Sequence, residues 1–276
     1  MKDRVHYDTG EITFSIAYPD SSFFDAIDPI FAHMRTLSPK GKRVNVDFVL
    51  TEGKWRILFN ETYIAAAADM ESLPLVLQEN MIILHYQSRP YLVAIHAGVI
   101  GAGSKAIVFP GVSGSGKSTL TAAMVAKGYY LYSDEIALVG NDAKISSLPF
   151  CINIKEGSWS LLKDRFPILS DLRSYRRFDS QRVKLLPPLN LAENRADIYA
   201  VVFLEFDESC TESSLVPLSS CETLSRIKEA GYQLSEPLNK ESLEKILSGL
   251  LEPGGFLLRY GSLEDALKEI ESMLNG

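Results

Sequence analysis

Lys105-Ala106-Ile107-Val108-Phe109-Pro110-Gly111-Val112-Ser113-Gly114-Ser115-Gly116-Lys117-Ser118-Thr119 runs from an apolar strand into a glycine-rich loop and on into a helix. Gly111, Gly116, Lys117 and Ser118 fill the fixed positions of the pattern G-x-x-x-x-G-K-[ST], a complete P-loop. Glycines let successive backbone N–H groups close on phosphate oxygens where a Cβ would collide. Lys117 is long enough to reach the β- and γ-phosphates, and the Ser118 hydroxyl suits the Mg²⁺ that accompanies a nucleotide. Leu120, Ala123 and Met124 fall on one face of the following helix, whose positive amino-terminal end points at the same phosphates. Ser113, Gly114, Ser115 and Thr119 complete the expected nucleotide contacts. The expected cofactors are therefore ATP and Mg²⁺.

Outward from the loop, residues 91–97 read as a buried strand ending in His96-Ala97. Val99-Ile100 and a Gly101-Ala102-Gly103 turn follow. Lys127-Gly128 closes the P-loop helix. The β-rich run Tyr129-Tyr130-Leu131-Tyr132 ends at Ser133-Asp134-Glu135. Carboxylates at the end of a strand beside a P-loop fit both the metal and the base that an acceptor hydroxyl requires. Residues 136–139 and 144–148 flank Gly140-Asn141-Asp142 as a hairpin.

The set Ile95-His96-Ala97, the loop from Phe109 to Thr119, Lys127-Gly128 and Leu131-Tyr132-Ser133-Asp134-Glu135 resembles the catalytic domain of HPr serine kinase/phosphorylase. It is more similar still to the related kinases that share a phosphoenolpyruvate-carboxykinase-like fold. The resemblance covers about residues 91–160. It implies that Lys117 binds phosphate, that Asp134 is the base for the acceptor hydroxyl, and that His96 lies close to that acid. Ser118 and Glu135 would hold Mg²⁺, with Glu135 standing where the family usually has Asp. The glycine-rich downstream signature of the phosphorylases has no counterpart here, so HPr as substrate, phosphorolysis and a hexameric ring are not implied.

Residues 1–89 alternate between strand and helix patterns: a strand pair around Gly10, a helix over 23–34, a hairpin around Thr51-Glu52-Gly53-Lys54, a strand over 63–68 and a helix over 73–87. They read as an α+β recognition or platform portion ahead of a catalytic domain over 90–276. Lys155, at the end of a strand over 149–154, faces either phosphate or water. Arg176, Arg177 and Arg182 lie in a basic stretch read as a solvated loop or a grip for acidic groups. The run 198–206 suits a central strand, 215–218 an edge strand, and Ser220 opens a helix over 222–230. A helix over 240–251, a strand over 255–260 and a helix opened by Ser262 complete the pattern.

The chain has 276 residues, a formal net charge of −7 and three cysteines, Cys151, Cys210 and Cys221, without metal-ligand spacing. That balance argues against nucleic acid as partner, and the scattered cysteines fit reduced thiols of a cytoplasmic protein. No signal-peptide pattern opens the chain, and no apolar run reaches membrane-spanning length. The expected class is α/β, a mixed sheet with flanking helices. The expected activity is an ATP-dependent kinase acting on a hydroxyl, foremost a serine of a protein or peptide. A regulatory nucleotide-binding module without transfer and a kinase of free serine are the alternatives, and a homo-oligomer is left open.

Overall fold

The computed structural model describes residues 3–275. The chain forms two compact units, Met1–Arg89 with Pro149–Pro187, and Pro90–Leu148 with Pro188–Gly276. Both combine sheet and helix, so the protein is of mixed α/β class.

In the first unit β1 (Val5–Asp8) and β2 (Ile12–Ile16) pair antiparallel around Gly10, whose φ of 89° makes the turn. Helix α1 (Ser21–Phe31) starts where the Asp20 carboxylate accepts from the N–H groups of Ser22 and Phe23, satisfying donors that a helix start leaves open. Then come β3 (Arg35–Thr36), β4 (Lys42–Thr51), β5 (Lys54–Phe59) and β6 (Thr62–Ala67). Among the described residues these strands form a six-stranded sheet in the order β3-β1-β2-β4-β5-β6. Helix α2 (Leu73–Gln87) has Pro74 in its first turn and buries Leu73, Leu77 and Met81, each worth roughly 1.5–3 kcal/mol on removal from water.

The second unit opens with β7 (Val93–Ala102), β8 (Lys105–Pro110), α3 (Lys117–Ala126), β9 (Tyr130–Ser133), β10 (Ile136–Val139) and β11 (Lys144–Ser146). Here the structure departs from the sequence reading: β7 does not end at His96 but continues to Ala102. Gly101, expected in a turn, is inside the strand, as is Gly98. A Cβ on Gly98 would lie 2.4 Å from Thr121 Oγ1, and one on Gly101 2.6 Å from the Tyr132 ring. Both glycines admit a close neighbour, a use of glycine that sequence alone does not separate from a turn.

The chain returns to the first unit with β12 (Ile152–Lys155), α4 (Trp159–Leu162), β13 (Ser174–Arg176) and β14 (Arg182–Leu186). Residues 149–187, placed by the sequence reading in the catalytic portion, pack with the amino-terminal residues instead. The Tyr175 hydroxyl donates to Ala26 O at 2.8 Å, His33 Nε2 to Pro149 O at 2.8 Å, and Gln78 Nε2 to Asn153 Oδ1 at 3.1 Å. The basic stretch is likewise a hairpin, β13 against β14, rather than a loop.

The second unit is completed by β15 (Ala196–Phe206), β16 (Ser214–Leu218), α5 (Ser220–Ala230), β17 (Tyr232–Leu234), α6 (Lys240–Ile246), β18 (Gly255–Tyr260) and α7 (Leu263–Asn275). The cap of α5 is Ser219, in a reciprocal pair with Glu222, rather than Ser220. Its strands form a mixed sheet in the order β11-β10-β7-β8-β15-β18-β16, with β9 and β17 also on β7. Strands β8, β15 and β18 run parallel, while β7 and β10 are antiparallel to their neighbours. Val99, Val108, Val139, Val201 and Leu257 meet in one buried cluster. Strand β16 lies at the sheet edge, as its Pro217 requires.

Candidate functional site

Strand β8 ends at Pro110 and releases the glycine-rich loop at the carboxyl edge of the parallel strands. Gly114 and Gly116 have φ of 96° and 92°, a left-handed conformation that disfavours residues with a Cβ. At Gly111 a Cβ would lie 2.8 Å from Ser115 Oγ, so the loop folds tightly back on its own start. Gly116 is the amino-terminal cap of α3, and Leu120 N–H donates to its carbonyl at 3.0 Å. Lys117 is 5% exposed, and its Nζ donates to Gly111 O at 2.6 Å and Val112 O at 3.0 Å. The ammonium is thus held over the loop it would serve. Ser113 and Gly114 are exposed, while Ser118 and Thr119 are half-buried in the first turn of the helix.

Strand β7 joins this loop to the acidic corner. Gly111 N–H donates to His96 O at 3.4 Å, and the next residue, Ala97, donates its N–H to Glu135 O at 3.1 Å. The pairing Ile136↔His96 continues the ladder into β10, and Val99↔Ser133 fixes the end of β9. Within the corner Ser133 Oγ accepts from the N–H groups of Glu135 at 3.3 Å and Ile136 at 3.1 Å. Asp134 is buried between them at 4% exposure. His96 Nδ1 lies 3.6 Å from Glu135 Oε2, both side chains about one-third exposed. His96, Glu135 and the start of the loop are therefore assembled by a single peptide group of one strand, the one that joins His96 to Ala97. Asp134 is carried by the same corner.

The residues present fit a phosphate group. Ser115 Oγ is buried without a hydrogen-bond partner in the structure, which leaves a polar atom of the loop to be satisfied. The two left-handed glycines and the amino-terminal end of α3 aim backbone donors as an anion site requires. Among the described residues no group of three or more His, Cys, Asp or Glu could hold a metal ion. Mg²⁺ at a nucleotide needs fewer protein donors, because one or two carboxylates and the phosphates themselves suffice. Ser118 and Glu135 carry oxygens of the kind such a site uses.

Arg176 and Arg182 are committed within the first unit. Arg176 pairs with Asp69 and with Glu71 at 3.4 Å, and Arg182 pairs with Glu71 at 2.8 Å. Arg177 faces Asp179 at 3.6 Å. Lys155 ends β12 of that unit, half-buried. Sequence reasoning missed Tyr260, whose hydroxyl lies against Gly116. A tyrosine ending an apolar strand reads as core, and nothing local marks its reach. Among the described residues no helix is long and apolar enough to cross a membrane. No protein-family model matches the sequence, and no curated protein matches it.

Proposed function

We propose that the chain is an ATP- and Mg²⁺-dependent kinase that phosphorylates a hydroxyl, foremost a serine of a protein or peptide. Its second unit is then a P-loop kinase core of the phosphoenolpyruvate-carboxykinase-like kind, similar to the HPr-kinase-related kinases. The observation that carries this reading is the joint anchoring of Gly111 and Glu135 on His96 and Ala97. It gives a phosphate loop a fixed acidic neighbour, which a simple nucleotide-storage site does not need.

Bound Mg-ATP would supply the transferable phosphoryl group and a cation that neutralises charge on it. Lys117 and the first amides of α3 hold negative charge by fixed dipoles and one ammonium, with little reorganisation. The Ser118 hydroxyl and the Glu135 carboxylate are the oxygen donors offered to the metal. Asp134 would take the proton that leaves the acceptor hydroxyl as the hydroxyl oxygen bonds to the γ-phosphorus and the bond from that phosphorus to the departing ADP breaks. His96, with Nδ1 at 3.6 Å from Glu135 Oε2, orients that carboxylate.

Incubation with γ-labelled ATP, Mg²⁺ and either serine peptides or free serine tests the proposal and separates the two acceptor classes. Label transfer that disappears in Asp134→Asn supports it. Tight ATP binding without transfer or hydrolysis, unchanged by that substitution, would make the chain a regulatory nucleotide-binding module instead.

A further inference from the structure

The carboxyl ends of β8, β15 and β18 open on one edge of the sheet, the edge from which Gly111 leaves. Ligands of open α/β sheets bind at that edge. Tyr260 is the last residue of β18, and an ideal Cβ on Gly116 would lie 2.7 Å from its hydroxyl oxygen. Two strand spacings, about 10 Å, separate β18 from β8, a span that a valine or leucine could not bridge. The tyrosine is only 5% exposed, its ring packs at 5.6 Å on Phe206, and its carbonyl accepts from Asp207 N–H at 3.0 Å. Its tip is therefore held from behind. Burial pushes the phenol pKa above its ordinary value, so the hydroxyl stays neutral and keeps its proton beside an anion site.

Gly116 does not choose its own conformation. A glycine enters the left-handed region about as readily as the right-handed one, and Gly114 two residues earlier has the same freedom. A loop with two such hinges loses conformational entropy when it closes on a phosphate, unless a neighbour has already fixed it. We infer that Tyr260 is a positioning residue of the phosphate loop, its hydroxyl bracing the left-handed turn at Gly116 so that the first amides of α3 stay aimed at a bound phosphate. The inference rests on the reading of that loop as an ATP site. It adds to that reading a second wall: His96 anchors the loop from the β7 side, and Tyr260 from the β18 side.

The test compares the full chain with Tyr260→Phe, which removes only the hydroxyl, and Tyr260→Leu, which removes the reach. Mg-ATP binding is measured by titration calorimetry, and peptide-resolved hydrogen exchange follows residues 111–119 without nucleotide. Both variants should bind ATP at least about five-fold more weakly through lost preorganisation. Exchange should rise in the loop alone, and the melting temperature of Tyr260→Phe should stay within about 2 °C of the parent. In a transfer assay KM for ATP should rise with kcat little changed. Unchanged loop exchange and affinity in Tyr260→Phe would overturn the brace, as would exchange raised throughout the unit with a large drop in melting temperature. A parent chain that binds no ATP would sink the nucleotide reading, while the exchange comparison still decides the brace.

Discussion

Gly98 of β7 and Thr121 of α3 approach so closely that a Cβ on the glycine would lie 2.4 Å from the threonine Oγ1 and 3.8 Å from the Cβ of Lys117. The distance between this helix and the sheet is thus set by the absence of one methyl group. Lys117 is carried on the first turn of the same helix, so that distance also sets the height of the phosphate lysine.

Gly98→Ala should therefore cost about 1–3 kcal/mol by overpacking and weaken ATP binding as α3 moves outward. Thr121 Oγ1 is itself buried without a hydrogen-bond partner, so its removal forfeits no bond. Thr121→Ala should restore part of the loss in the double variant, a coupling that urea denaturation of the four chains measures. Strict additivity would show that the contact does not limit the helix.

Lys117 and Asp134 should separate binding from chemistry. Asp134→Asn is expected to lower turnover by roughly 10²–10⁴-fold, the usual contribution of a general base, with ATP affinity held within about two-fold. Lys117→Ala should weaken both, because its ammonium is offered to the nucleotide before and during transfer. Calorimetry with Mg-ATP and single-turnover transfer give the two quantities. Equal loss of affinity in both variants would remove the base assignment from Asp134.

What was legible in the sequence was local. The strand, loop and helix from Lys105 to Ala126 follow from apolar runs and glycine spacing, and the strand-end acids follow from the break after Tyr132. Non-local pairings were not legible. Nothing in residues 149–187 signals that Tyr175 and Asn153 find partners in Ala26 and Gln78, because hydrogen bonds across more than seventy residues leave no periodic trace. The same holds for Tyr260 and for the glycines of β7, whose neighbours come from other elements. This has an experimental consequence: deleting residues 1–89 as a recognition module would strip β12, β13 and β14 of their packing as well.

A second buried polar group lies in the first unit, where the Asp28 carboxylate, 5% exposed, accepts from the Tyr7 hydroxyl at 2.7 Å and pairs with Arg35. The Arg35 side chain is 43% exposed, so solvent screens the pair and Arg35→Ala should cost about 1–2 kcal/mol, less than the loss of a fully buried pair. Adding Asp28→Asn should recover part of that loss, since a neutral amide is cheaper to bury than an unpaired charge. Chemical denaturation of the single and double variants reads the difference. A double variant less stable than Arg35→Ala would overturn this order.

His85 makes the first unit acid-sensitive. The Thr9 hydroxyl donates to Ile12 O at 2.9 Å, so the contact of 2.8 Å between Thr9 Oγ1 and His85 Nδ1 requires the histidine to donate from Nδ1. Nε2 is then the bare nitrogen, and it is buried without a partner. Protonating it would place a charge where no acceptor waits, and burial, with a smaller push from Arg89, lowers the pKa to about 3. Above pH 6.5 the imidazole is neutral in both folded and unfolded chains and contributes no pH dependence. Between pH 6.5 and about 3 the unfolded chain takes up a proton that the folded chain refuses, so stability falls as the pH falls. The loss reaches about 2 kcal/mol at pH 5. His85→Phe keeps a ring against Phe150 and removes the titration, so its stability should decline less between pH 7 and pH 5 than the parent's. Urea midpoints at pH 7, 6 and 5 for both chains give the two slopes, and equal slopes would refute the assignment of this acid sensitivity to His85.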